Sequence, residues 1–445
     1  MATDLTQGPI FKRLISFSVP YLFACFLQTF YGVADLMIVG HFNGATTITA
    51  ISVGSQIMHM ITLILAGVAM GTTVLVGRAY GAKDKAQISR AVGNSISSFA
   101  ILSVVLTIAC LYFVVPIAGL LKTPTEALDE TIRYTRLCFL GIPWIAAFNV
   151  IAATCRGLGD SRHPMGFVAF GGIFNIVLDY ILIGIFGLGA PGAAWATLIA
   201  QVAVVVLALF VLPKLKLGIS LSKKDFAIDR PTFKSLMIVG IPTACQDGLI
   251  QIAFLFITAI ANARGLAVAA SVGIVEKLIC FFFLVPSAML AGVSAMASQN
   301  RGAACHERGR KALHYGIMTC AGYGLFIALA CQFVSPWLMG WFTTDRQVIQ
   351  LGTQYLRIYA LDTLFAGIHF CFSGYFCAYD RAGWAFLHNM LSSVTVRVPG
   401  TWIAAVLFPL TLTPMGAAAP LGSLLSVMIC LLIDRHHHLR YPQFS

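Results

Sequence analysis

Twelve apolar stretches set the first constraint on this chain. They run roughly over residues 11–40, 45–76, 87–117, 127–156, 162–187, 191–212, 232–262, 266–297, 308–341, 347–377, 382–409 and 414–434. About 20 apolar residues are enough for a helix to cross a bilayer, so each stretch can span one. Of the 445 residues, 58% are hydrophobic and only 10% are charged, where a soluble domain carries about 25% charged residues. The expected fold is an all-α polytopic membrane protein of twelve transmembrane helices. No short hydrophobic segment precedes a small-residue cleavage site, so no removable signal peptide is expected. The 12 cysteines are scattered without CxxC or Cys/His ligand spacing, which argues against a disulfide framework.

The net charge of +12 reflects topology rather than nucleic acid. With the N-terminus inside, Lys122, Arg133, Arg136, Arg264, Arg346 and Arg357 fall in outer segments, and Lys277 and Arg397 fall within spans. Every other Lys and Arg is cytoplasmic, as the positive-inside rule requires, which places both termini in the cytoplasm. The expected location is the plasma (inner) membrane, multi-pass.

The longest hydrophilic stretch, 213–234, divides the chain into six spans and six spans. The expected organisation is an N-lobe over 1–212, a cytoplasmic linker over 213–231 and a C-lobe over 232–445. The halves resemble each other. Gly71-Thr-Thr-Val-Leu-Val-Gly-Arg-Ala-Tyr-Gly-Ala matches Gly292-Val-Ser-Ala-Met-Ala-Ser-Gln-Asn-Arg-Gly-Ala at an offset of 221, which also pairs Arg90 with Lys311 and Arg136 with Arg357. An offset of 222 pairs Pro20 with Pro242. Repeated matches at a near-constant offset indicate duplication. An even number of spans per half gives parallel repeats, with sites within or between them.

Against that apolar background, acids inside spans stand out. A carboxylate at bilayer depth costs about 2.5–3.5 kcal/mol on insertion scales. Asp179 lies in the fifth span with Asn175 one turn before it, and Asp35 lies in the first. Counting at about 1.5 Å per residue, Asp35, Asp179, Thr197 and Tyr134 all sit roughly 9–12 Å below the outer surface. A shared depth on four helices is what a polar site in the N-lobe requires. Burial favours the neutral form of a carboxylate, and a second carboxylate nearby favours it further in one of the two. Such a pair can bind and release H⁺, or Na⁺ held by Asp35 and Asp179 with oxygens from Asn175, Thr197 and Tyr134. The plainer reading of Thr197 and Tyr134 is a helix-packing hydrogen bond.

The C-terminal half carries Asp247, Gln251, Glu276, Lys277 and Asp362, a candidate polar cavity in which Asp247 or Glu276 could neutralise Lys277. It has no counterpart of the N-lobe acids, whose equivalents are Ile257 and Gly400, so an asymmetric coupling site is expected. Pro20, in the span of Asp35, removes one backbone bond and permits a kink. Gly157-Leu-Gly-Asp160 and Tyr379-Asp380 look like the paired aspartate motifs of presenilin-type intramembrane proteases, but in reversed order and beside Arg162 and Arg381 at cytoplasmic helix ends. His436-His-His438 reads as a solvated tail. No nucleophile or metal constellation points to an enzyme.

The run from Asn175-Ile-Val-Leu-Asp179 through Gly187-Leu-Gly-Ala-Pro-Gly-Ala-Ala-Trp-Ala-Thr197 to Gln201 resembles helices five and six of the MATE (multidrug and toxic compound extrusion) transporters. Gly240-Ile-Pro-Thr-Ala-Cys-Gln246, Ser298-Gln-Asn-Arg-Gly-Ala303, Val33-Ala-Asp35 with Gly40, and Arg156-Gly-Leu-Gly-Asp160 agree. The likeness spans nearly the whole chain and is greatest to the DinF-like branch. It implies twelve helices in two six-helix bundles around a V-shaped central cleft, and acids matching Asp35 and Asp179 that take part in coupling. The branch's neighbouring Asn, Thr and Tyr match Asn175, Thr197 and Tyr134. The family's other main branch has an acid on helix seven, to which Asp247 and Gln251 do not clearly correspond.

The expected function is H⁺- or Na⁺-coupled antiport of amphipathic, often cationic, organic compounds by alternating access. The expected protein is a monomer among membrane lipids, with no cofactor beyond the coupling ion and no nucleic-acid partner. The alternative is a lipid-linked precursor flippase or polysaccharide exporter of the same wider superfamily. That would need a cationic cavity, and Lys277 and Arg397 are the only bases within spans.

Overall fold

Hydrocarbon offers a backbone amide no partner, so a lipid-facing chain must close its hydrogen bonds within each segment. The computed structural model, which describes residues 4–121, 123–215 and 221–440, is helical on that principle, with no strand among the described residues. Lys122 and Lys216, and the side chains of His437, His438 and Arg440, lie outside what is described.

The first half contains α1 (Ile10–Phe42), α2 (Ala45–Gly81), α3 (Lys85–Leu120), α4 (Thr125–Phe139), α5 (Ile142–Gly157), α6 (Arg162–Asp179) and α7 (Gly189–Val211). The second contains α8 (Arg230–Ala263), α9 (Leu266–Phe282), α10 (Leu284–Gly302), α11 (His306–Gly340), α12 (Arg346–Tyr359), α13 (Asp362–Ala378), α14 (Ala382–Ser392), α15 (Val398–Leu407) and α16 (Thr413–Arg440). Among the described residues, ten helices, or up to twelve spans if each bent pair is one, are long and apolar enough to cross a membrane.

The bent pairs are α4–α5, at 44°, and α12–α13, at 41°. Both were expected as single spans. The break after α4 falls at Leu140-Gly141, just before Pro143, which cannot donate back into α4. The break after α12 falls at Ala360-Leu361 and brings Asp362 to the first turn of α13. Two further irregularities are π-helical turns, at Tyr180–Ile185 directly after Asp179 and at Ser393–Arg397 between α14 and α15. Single π turns inside helices recur at functional sites.

Two compact units result, one of Met1–Asp4 and Phe23–Gly240, the other of Leu5–Leu22 and Ile241–Ser445. The first turns of α1 therefore belong to unit 2, although α1 continues unbroken through Pro20 into unit 1. Within unit 2 the Leu5 amide donates to Gln299 at 3.0 Å, Arg308 donates to the Gly8 carbonyl at 2.6 Å, and Leu14 lies 3.0 Å from where a Cβ on Gly292 would stand. Within unit 1 the start of α8 is held in the same way, with the Leu236 carbonyl against Gly71 and Gly240 against the backbone of Val68. A side chain at Gly71 would meet the Leu236 backbone and drive α8 away, whereas one at Gly292 would have to displace the Ser18 and Leu14 side chains. The linker's end also docks in unit 1, where Ser97 donates to the Phe226 carbonyl at 2.7 Å and Asn94 to that of Asp229 at 3.4 Å.

Candidate functional site

In unit 1, α1 and α6 approach closely on both sides of the two acids. Tyr31, one turn before Asp35, lies 2.8 Å from where a Cβ on Gly172 would stand, so only glycine fits there without displacing it. Beyond the acids, Phe42 packs against Gly184 and edge-on to Tyr180, with ring centroids 5.7 Å apart. Held at these two points, the Asp35 and Asp179 carboxyls come within hydrogen-bonding reach of each other. Asp179 is 1% exposed and Asp35 is partly buried. Among the described residues, neither Asp179 oxygen has a donor, and Asp35 Oδ1 has none. Two ionised carboxylates cannot donate to each other, so a hydrogen bond between them requires a proton on one.

The remaining expected residues divide. Asn175 is buried one turn before Asp179, and its Nδ2 has no acceptor among the described residues. Tyr134 is buried on α4 in the space left by Gly54, bonded to Cys138 and close enough to feel both acids electrostatically. Thr197 is half-buried on α7 and makes no hydrogen bond among the described residues. Tyr134 and Cys138 also join Val39, Ile51, Ile183 and Ala190 in an apolar cluster. Val39 and Ile183 each follow an acid by one turn, so this cluster closes the site toward the Phe42 end of α1. Sequence reasoning missed Tyr31 and Cys138. Their signal was helical spacing, since each lies four residues from a residue already singled out, Asp35 and Tyr134.

Of the C-terminal candidates, Glu276 and Asp362 share the neighbourhood of Tyr355 and Tyr359. Asp247 and Gln251 are half-buried, four apart on α8, and neither is hydrogen-bonded among the described residues. Glu276 turns toward Thr258, which donates to it at 3.2 Å. Lys277 is exposed and forms no ion pair among the described residues. A buried ion pair in unit 2 joins Asp362 with Arg397, at 2.6 Å. The two protease-like acids serve local structure. Asp160 caps α6, accepting from the Arg162 and His163 amides at 3.0 and 3.2 Å, while Asp380 pairs with Arg301 at 2.8 Å.

A helical membrane protein with buried, unpaired carboxyls inside one of its bundles has the build of a secondary transporter. The MatE family model matches residues 20–181 and again residues 242–403. The chain belongs to the MatE family, the MATE transporters, which are not enzymes, and each of its halves carries one copy of the family pattern. The probable multidrug resistance protein YpnP of Bacillus subtilis (strain 168) is 27% identical over 408 residues, covering 90% of this chain and 89% of that protein. The multidrug export protein MepA of Staphylococcus aureus (strain MRSA252) is 27% identical over 415 residues, covering 91% of this chain and 89% of that protein. A MOP superfamily transporter from Pyrococcus furiosus superposes with a TM-score of 0.92 at 23% identity, over 98% of this chain and 97% of that one. The crystal structure of MATE in complex with MaD3S gives 0.91 at 22% identity, over 98% of each chain.

Proposed function

We propose that this protein exports amphipathic, often cationic, organic compounds in exchange for H⁺ or Na⁺, with Asp35 and Asp179 as the coupling site. The observation that carries this is the facing of two carboxyls of which both Asp179 oxygens and Asp35 Oδ1 are buried without a donor among the described residues. At about 4 Å and an effective dielectric constant of 20, two like unit charges repel by about 4 kcal/mol, so the pair demands a cation. Binding of H⁺ or Na⁺ relieves that repulsion and favours one state of the N-lobe, while substrate favours the other. Reciprocity of binding then gives exchange. Each net charge moving inward across 100 mV releases about 2.3 kcal/mol, enough for a gradient of roughly fifty-fold in a neutral substrate.

Asn175 and Tyr134 line the pair, Thr197 offers a free hydroxyl nearby in sequence depth, and Pro20 removes the bond its amide would have made to Ser16. The two lobes, 1–212 and 232–445 joined by 213–231, act as a monomer in the plasma (inner) membrane, with both termini cytoplasmic. The names of YpnP and MepA support multidrug export. Flipping of lipid-linked precursors is disfavoured because Arg397, one of the two bases within spans, is already neutralised by Asp362. In proteoliposomes, Asp179→Asn is expected to abolish dye efflux driven by an imposed pH or Na⁺ gradient while the protein still inserts. Wild-type efflux from that variant would overturn the assignment. Running the two gradients separately identifies the ion.

A further inference from the structure

Unit 2 contains a second buried ionic cluster, built on the opposite principle from the first. Asp362, at the start of α13, is fully buried, and Arg397, the last residue of a π turn, is 11% exposed. Arg397 Nη2 donates to Asp362 Oδ2 at 2.6 Å and to Ser423 Oγ at 2.9 Å. Gly422 on α16 leaves the room, since a Cβ there would stand 2.7 Å from Arg397 Cγ. Tyr355 and Tyr359 of α12 lie close enough to interact with both charges, and with Glu276 of α9. His369 Nε2 faces Ser423 Oγ at 3.4 Å, and His388 Nε2 faces Ser373 Oγ at 3.0 Å. Of all these groups, only the guanidinium is charged at every accessible pH.

The two blocks matched by the family model stand 222 residues apart, which sets Arg397 opposite Asn175. In unit 1 that stretch of the span holds a neutral amide beside two unpaired carboxyls. In unit 2 it holds a fixed cation beside one paired carboxyl.

We infer that Arg397 is a tethered counter-ion that keeps Asp362 ionised and so confines the exchangeable cation to unit 1. Asp362 has its positive charge supplied by the chain itself, and neither takes up a proton nor admits Na⁺ during the cycle. Without the Arg397 charge, Asp362 would be in the position of the unit 1 acids, a buried carboxylate with no cation, and would take up a proton. The consequence for transport rests on the reading of unit 1 as the coupling site. The charge state of Asp362 does not, and it is measured without transport.

Infrared spectroscopy of the purified full-length protein in lipid, in sodium-free buffer at neutral pH, counts protonated carboxyls by their C=O stretch. Arg397→Met is expected to gain one such band over wild type, and Asp362→Asn/Arg397→Met is expected to lack it. A folded Arg397→Met variant with no new band overturns the inference. Should Arg397→Met fail to fold, wild type against the charge-balanced double variant still decides. An unchanged set of bands supports an ionised Asp362, and loss of a band in the double variant overturns it. Asp35→Asn/Asp179→Asn, measured in parallel, reports on unit 1 alone, so failure of the coupling-site reading is seen separately.

Discussion

Gly172→Ala tests how the acid pair is held together. The added Cβ would lie 2.8 Å from Cδ1 of Tyr31 and 3.4 Å from its Cγ. Carbon atoms settle at about 3.5–4.0 Å, so α1 and α6 must part by roughly 0.7–1.2 Å or the Tyr31 ring must turn. Turning the ring breaks its hydrogen bond with Gln28. Overpacking of this kind costs about 1–3 kcal/mol. Asp35 follows Tyr31 by one turn and Asp179 follows Gly172 by two, so the same parting separates the carboxyls. An O–H···O bond spans only about 2.5–3.0 Å, and a shift approaching 1 Å breaks it. If about 1.4 kcal/mol of the strain falls on the coupled step, exchange slows about tenfold. Ion-driven dye efflux from proteoliposomes and thermal unfolding in detergent read the two effects. Combining the change with Tyr31→Ala removes the clash, so Gly172→Ala should then cost little stability, the signature of direct coupling in a double-mutant cycle. A Gly172→Ala protein that melts and transports like wild type would refute this account of the site.

Other expectations follow from the same structure. Ser373→Ala leaves His388 Nε2 buried without a partner, beside an Nδ1 that already has none, and should cost about 1–3 kcal/mol in thermal unfolding. Where α10 and α13 end in unit 2, Arg301 also donates to the Ala378 carbonyl and lies over the Tyr379 ring, so Arg301→Ala should lower the melting temperature more than Asp380→Asn. The Arg301–Asp380 pair is partly exposed and contributes at most about 1 kcal/mol. In the linker, the Ser222 amide and hydroxyl hold the Asp225 carboxyl below the usual carboxylate range, as the Thr232 hydroxyl and amide do for Asp229. Because folding lowers both values, this support is complete above about pH 4 and is lost as pH falls further. Fluorescence of a Phe226→Trp variant should therefore report undocking only below that pH, and a midpoint above it would contradict the reading.

The spans were legible because hydrocarbon tolerates no unpaired backbone, and that forces long apolar runs which show in any sequence. The acids were legible for the converse reason: Asp35 and Asp179 are costly where they stand. The bends at Leu140-Gly141 and Ala360-Leu361 were not, because the sequence stays apolar through both and only packing shows where a helix turns. Nor was the Asp362–Arg397 pair, since 35 residues separate its members and no helical period relates them.

The sequence by itself determined the membrane helices, their duplication at a near-constant offset and the presence of costly acids within spans. Tertiary structure decided which side chains meet. Glycine at 172 and 184 lets α1 and α6 close until Asp35 faces Asp179, whereas at 422 it admits Arg397 to Asp362. Tertiary structure also decided that α1 and α8 each begin in one unit and end in the other. A helix's own hydrogen bonds are indifferent to which bundle surrounds it, so that choice rests on Leu14 seated at Gly292 and Leu236 at Gly71.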